Sequence, residues 1–140
     1  MSQGLTILLP TYNEADALPK VVEALPIDAL KAAGWEPRIV VADGRSTDGT
    51  QERAAELGLE LIVQGPAAGK GFGMREGFAR FLAHDDDVLV MLDADGTYAP
   101  DEMMRLLQHL ERGSYDVVIG SRLRGDIQRG AMSRLNWIGN

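Results

Sequence analysis

Asp93 and Asp95 stand one residue apart, directly after the apolar run Val88–Leu92. Two carboxylates so spaced at the mouth of a buried strand can share one divalent cation. All-oxygen ligands favour Mg²⁺ or Mn²⁺, with phosphate oxygens of a substrate completing the shell. The pair is no EF-hand, because Gly96 falls too early in the loop and Met104 stands where the bidentate Glu belongs. A second candidate is the glycine-rich stretch Gly65–Gly71, which carries Lys70. It has one residue too few between its glycines for a P-loop, and Gly71 replaces the required Ser or Thr. Gly71, Gly73 and Gly77 likewise miss the dinucleotide fingerprint. A flexible backbone beside Lys70 can still help to hold a diphosphate. Near the C-terminus Arg122, Arg124, Arg129 and Arg134 oppose Asp126 alone, a candidate anion site on an acidic chain. The Asp85–Asp87 run and the isolated His84 and His109 read as solvated surface.

Such groups need rigid elements to aim them. Leu5–Leu9, Arg38–Ala42, Leu59–Val63, Val88–Leu92 and Val117–Ile119 are short and nearly all apolar, as strands of a parallel sheet buried on both faces are. Between them lie helical periods. Leu18, Val21, Val22 and Leu25 form one stripe, and Met103, Leu106, Leu107 and Leu110 another. Met74, Phe78, Phe81 and Leu82 give a third, expected to face the core. Asp48 with Gln51 resembles a capping box before Glu52–Leu57, and Gly58 ends that helix. Pro100, Asp101 and Glu102 suit a first helical turn. The alternation predicts a doubly wound α/β fold, mostly parallel, with helices on both faces of the sheet.

The chain has 140 residues, 45% of them apolar, a formal charge of −7 and no cysteine. It is long enough for one domain with a real core. Disulfides, thiolate zinc and cysteine catalysis are excluded. The acidic balance argues against a nucleic-acid partner. No apolar run reaches a membrane span, and the start lacks the blocks of a signal peptide, so a cytoplasmic protein is expected.

Ligands of an open parallel sheet bind beyond the carboxyl ends of its strands. Those ends carry Pro10–Glu14, Asp43–Gly49, Gln64–Gly71, Asp93–Gly96 and Gly120–Arg122, all polar, acidic or glycine-rich. One alternative reading takes Asp93 as the nucleophile of a phosphatase like the haloacid dehalogenases. The chain lacks that family's later lysine and acidic motifs and leaves Pro10–Glu14 and Asp43–Gly49 unexplained.

Taken in order, Pro10-Thr11-Tyr12-Asn13-Glu14, Val41–Thr50, Gly69-Lys70-Gly71, Asp93-Ala94-Asp95, Gly120-Ser121-Arg122 and Ser133-Arg134-Leu135-Asn136 resemble family 2 glycosyltransferases of the GT-A fold. The resemblance is nearest to the polyprenyl-phosphate (dolichol-phosphate) mannosyl- and glucosyltransferase branch. It implies an inverting transfer of a hexose from GDP-mannose or UDP-glucose to a polyprenyl phosphate. Pro10, Tyr12, Glu14, Asp43, Lys70 and Ala94 would line the nucleotide-sugar pocket, Asp43 contacting base or ribose. Asp93 and Asp95 would hold Mg²⁺ or Mn²⁺. Arg122 and Arg134 would face the donor diphosphate or acceptor phosphate, so Asp95 and Arg122 are the expected catalytic groups. The sequence departs from the pattern at Ala42, where an acidic residue is common, at Arg45, read as an insertion, and at Thr97, where a longer ligand can assist the metal. Family domains run on beyond Asn140, so 1–140 is expected to be one domain, incomplete at its C-terminus, with 120–140 opening the acceptor-side segment. A nucleotide-sugar-binding fragment without turnover, and peripheral contact with a membrane, are the accompanying expectations.

Overall fold

Leu5, Ile7, Leu8 and Leu9 of strand β1 (Gln3–Thr11) are all wholly buried. Continuous rather than alternating burial is what helices on both faces of a sheet produce. β2 (Trp35–Asp43) runs parallel to β1 from the Gln3–Trp35 pairing to the Thr11–Asp43 pairing. β3 (Glu60–Val63) lies parallel on the outer side of β2, and β4 (Val88–Met91) parallel on the far side of β1. The order is therefore β3-β2-β1-β4. The chain steps outward through β2 and β3, then returns to the other flank of β1. Its direction of winding reverses between β1 and β4, and such a switch point opens a crevice at the carboxyl ends of those strands.

The computed structural model describes residues 2–66 and 69–121. The chain divides into two compact units, Met1–Met104 and Arg105–Asn140. The first holds the sheet with helices α1 (Leu18–Ala24), α2 (Ile27–Ala32), α3 (Thr50–Glu56) and α4 (Lys70–Leu82). A 3₁₀ turn at Pro100–Glu102 leads into α5 (Met103–Gly113), which continues into the second unit. Met103 and Leu107 are buried on the stripe that the sequence marks.

Four of the five expected strands form. Val117–Ile119 does not, and Val117 and Ile119 are exposed. So short a run becomes a strand only beside a partner, and no described residue pairs with it. Helix α2, at six residues, is too short to show a period and escapes the sequence reading.

The stripe on α4 is also corrected. Phe78 is 39% and Leu82 79% exposed, while Gly73 and Gly77 form the buried face. A Cβ on Gly77 would stand 2.6 Å from both methyls of Leu8, so here the helix backbone lies almost directly on the sheet. The absence of side chains, rather than the presence of large ones, sets which face turns inward.

The expected capping box is replaced by other bonds. Asp48 accepts from the Thr50 backbone N–H at 3.0 Å, and the Gln51 amide donates to Asp43 instead. The N-cap of α3 is Gly49, and Gly58 does close the helix end with φ 67°.

Two members of the acidic run before β4, Asp86 and Asp87, are structural, while Asp85 is exposed. Asp87 accepts from the Gly4 backbone N–H at 2.9 Å. Asp86, with an 8% exposed side chain, accepts from the Thr6 hydroxyl and from Arg38 Nη2 at 2.9 Å. Arg38 also donates to Glu60 at 2.6 Å, and Glu60 takes a further bond from Arg80 of α4. One guanidinium thus ties β1, β2, β3 and the entry to β4.

Burial would raise the Asp86 and Glu60 carboxyls. The Thr6 hydroxyl and Arg38 outweigh burial at Asp86, and Arg80 and Arg38 outweigh it at Glu60, so both are held below their ordinary values. Carboxylates lowered in the fold stabilise it above their unfolded pKa, and that support is lost as pH falls through the folded value. Arg38→Met is expected to cost about 2–3 kcal/mol at pH 7, below the range for a fully buried pair because Arg38 is partly solvated. The gap from wild type should close toward pH 2, as urea denaturation at the two pH values will measure.

Candidate functional site

The loop after β1 and the loop after β2 are zipped together by side chains. Asn13 N–H donates to Ser46 Oγ at 2.8 Å, and Thr47 N–H returns to Asn13 Oδ1 at 2.9 Å. Glu14 N–H donates to Thr50 Oγ1 at 2.9 Å, and Ala15 N–H to Asp48 Oδ2 at 3.0 Å. Turns made this way satisfy backbone groups that a loop would otherwise leave open. The result holds Tyr12, 66% exposed, and Glu14 at the carboxyl end of β1.

Asp43 ends β2 at 0% exposure. Its carboxylate accepts four bonds: from Thr11 Oγ1 (2.9 Å), Ser46 N (2.8 Å), Ser46 Oγ (2.6 Å) and Gln51 Nε2 (2.8 Å). Four donors fill the acceptor sites of the carboxylate. Asp43 thereby holds the loop that carries Gly44, Arg45 and Ser46. A Cβ on Gly44 would sit 3.4 Å from the Tyr12 ring, so this backbone passes close beneath the tyrosine.

Across the switch point, Asp93 and Asp95 follow β4, with Ala94 buried between them. Asp95 Oδ1 accepts from Thr97 N–H at 2.8 Å. Hydrogen bonding from the Thr97 side chain, then from its backbone, holds the Asp95 carboxyl below its ordinary value, with Lys70 adding a smaller pull. Lys70, in the first turn of α4, forms an ion pair with Asp93. Glu14 is raised, first by burial and then by the charges of Asp95, Asp48 and Asp93. Four carboxylates thus share one electrostatic neighbourhood spanning three loops.

A metal centre fits this donor set. Asp93 and Asp95 are hard oxygen donors, Asp95 is kept ionised, and the field of Glu14 and Asp48 favours a cation. Among the described residues no three His, Asp or Glu side chains cluster closely enough to hold a metal by themselves. Mg²⁺ and Mn²⁺ are bound in this manner, through one or two carboxylates plus substrate phosphates.

A carboxyl raised in the fold favours folding below its unfolded pKa, and that contribution is lost as pH rises through the folded value. Glu14→Gln is therefore expected to raise stability at pH 7 by about 0.5 kcal/mol, the scale of a single partly exposed charge. The same change should weaken Mn²⁺ binding severalfold. Thermal melts with and without MnCl₂ give both quantities.

Of the residues singled out in the sequence, Tyr12, Glu14, Lys70, Asp93 and Asp95 meet at this end of the sheet, with Pro10 just inside β1. Arg122 and Arg134 lie outside the described residues. Thr11, Asn13, Ser46, Thr50, Gln51 and Thr97 support the site through hydrogen bonds that the sequence reading did not assign to them. The spacings Asp48-x-Thr50 and Asp95-x-Thr97 are the signal for them, since an aspartate commonly bonds the backbone two residues on. Beside Asp95 a groove of about 420 Å³ runs between α1 and the 96–100 loop, lined by Lys20, Val21, Tyr98 and Pro100 among others.

A parallel sheet with an Asp-x-Asp pair at its switch point defines an open α/β domain whose ligand crevice lies beyond the strand ends. More narrowly, residues 6–139 match the model of glycosyl transferase family 2, and the chain belongs to that family. It is 39% identical to Glycosyltransferase AglJ of Haloferax volcanii, over 98% of this chain and 42% of that protein. It is 36% identical to Polyprenol monophosphomannose synthase of Mycolicibacterium smegmatis, over 86% of this chain and 46% of that one. The fold matches glucosyl-3-phosphoglycerate synthase from Mycobacterium tuberculosis, solved with Mn²⁺ and UDP-glucose, with a TM-score of 0.63 at 22% identity. That match covers 79% of this chain and 40% of the synthase. The chain thus spans less than half the length of these relatives. Family membership removes the phosphatase reading of Asp93.

Proposed function

We propose that this domain binds a nucleotide-diphosphate hexose and serves an inverting transfer of the sugar to a polyprenyl phosphate. The observation that carries the reading is the placing of Asp93 and Asp95 across the β1/β4 switch point from Tyr12 and Glu14. The names of the curated relatives support a polyprenyl acceptor and a mannosyl group.

In such a transfer the anomeric C–O bond to the diphosphate breaks as an acceptor oxygen attacks from the opposite side. Charge develops on the departing nucleoside diphosphate, and groups that meet it there lower the barrier. Asp93 and Asp95 would hold Mg²⁺ or Mn²⁺, whose chemistry is to offset that charge. Lys70, fixed beside Asp93, brings a further positive charge to the same rim. Arg122 and Arg134 are proposed for the donor diphosphate or the acceptor phosphate. Tyr12 offers an exposed aromatic face on which a base can stack. A phosphate acceptor is already ionised near neutral pH, so the reaction needs no dedicated base.

Among the described residues no helix is long and apolar enough to cross a membrane. A lipid-phosphate acceptor would bring the domain to a membrane surface from the cytoplasmic side. Calorimetric titration of GDP-mannose and UDP-glucose, with and without Mn²⁺, tests the donor half of the proposal. Metal-dependent binding of one donor is expected, and binding of neither by a folded chain overturns it. Transfer of labelled hexose to polyprenyl phosphate tests the acceptor half.

A further inference from the structure

Arg45 is one of the few non-glycine residues in the left-handed region, with φ 66°. An L-residue there sits in a conformation that glycine adopts without cost, and such strain persists only where the surroundings enforce it. They do so on both sides. Gly44 is fixed by its N–H bond to the Thr11 carbonyl at 2.8 Å and by the Tyr12 ring beside it. Ser46 is fixed by two bonds to Asp43 and one from Asn13. Arg45 is therefore no loose insertion. It fills a glycine-like slot in a pinned loop, one residue beyond the Gly44 that lies against the Tyr12 ring, and is itself exposed. Within the described residues no hydrogen bond or ion pair engages its guanidinium, as is also the case for Arg75, Arg105 and Arg112, whereas Arg38, Arg53 and Arg80 are paired.

The neighbouring carboxylate is already committed. Asp43 is wholly buried and receives four internal donors, which leaves it to shape the loop rather than to read a ligand. We infer that Arg45 is the base-reading residue of this site and that it selects guanine over uracil. The inference rests on the nucleotide-sugar reading above. A guanidinium presents paired donors in a rigid fork, and the O6 and N7 edge of guanine presents paired acceptors at matching spacing. Uracil offers no such adjacent pair, since a donor N–H separates its two carbonyls. Tyr12 beneath the base is indifferent to its identity, because every base has a π-face.

The test is titration of GDP and of UDP, each with Mn²⁺, into the whole chain carrying Arg45, Arg45→Ala, Arg45→Lys or Arg45→Gly. Wild type should prefer GDP by about tenfold or more, the scale of one bidentate base contact. All three variants should lose most of that preference while UDP affinity changes less than about twofold. Arg45→Gly guards against misfolding, because φ 66° suits glycine, and its melting temperature should match wild type. An equal fall in GDP and UDP affinity would place Arg45 on the diphosphate and overturn the inference. So would an unchanged ratio, or a wild-type preference for UDP. If wild type binds neither nucleotide, the nucleotide-sugar reading fails and this inference falls with it.

Discussion

Asp95→Asn should reduce Mn²⁺-dependent binding of the donor by about 100-fold or more and leave the fold intact. Losing merely a group that supports a metal ligand typically costs about 10–100-fold in affinity, so losing a ligand itself should cost at least the upper end of that range. Asparagine keeps an oxygen toward Thr97 N–H but removes the charge that the Thr97 contacts hold ionised. The loss should therefore be electrostatic and not structural. Without metal the two proteins should differ little, which separates this effect from a general collapse of the site. Asp93→Asn should behave similarly, with the added release of Lys70 from its ion pair. Calorimetry with and without MnCl₂, beside a thermal melt of each variant, reads both effects. A variant that keeps full metal-dependent affinity would remove Asp95 from the proposed centre.

The second large effect concerns stability. Asp43→Asn turns one acceptor oxygen into a donor within a ring of four donors. An amide nitrogen facing the Ser46 N–H and Gln51 sets donors against donors, and one facing the Thr11 and Ser46 hydroxyls forces both to turn and accept, losing their own bonds to the carboxylate. Leaving buried polar groups unsatisfied costs about 1–3 kcal/mol each, and more where a charge was involved. We expect a loss of about 3–4 kcal/mol, near 10 °C in melting temperature for a domain of this size. Urea denaturation at pH 7 gives the value directly. Because the carboxylate is committed inward, nucleotide affinity measured well below the melting point should fall much less than stability does. A variant of unchanged stability that no longer binds nucleotide would instead show that Asp43 touches the ligand.

The strands and the chemistry at their ends are written locally in this chain. Leu5–Leu9, apart from Thr6, and Val88–Leu92 are apolar throughout, the pattern of strands in a sheet with helices on both faces, and it is read without knowledge of what covers them. The Asp93–Asp95 spacing, the Pro10–Glu14 segment and the Asp43–Gly49 segment are legible for the same reason, since each lies within a few residues of a recognisable strand end. Met103, Leu106, Leu107 and Leu110 announce α5 by their own period.

Where partners come from distant segments, the sequence is silent. The inward face of α4 follows from how closely Gly77 can approach Leu8, and no periodicity in Phe78 or Leu82 carries that information. Asp86 looks solvated until folding brings Thr6 and Arg38 to it from other strands. The donors that Thr11, Ser46 and Gln51 bring to Asp43 are likewise visible only in the fold. Arg45 reads as an insertion until its φ shows that it fills a slot suited to glycine. Composition and short-range spacing determine which groups this protein has. Only the return of the chain across β1 decides which of them meet, because contacts between remote segments depend on shape and closure rather than on neighbours in sequence.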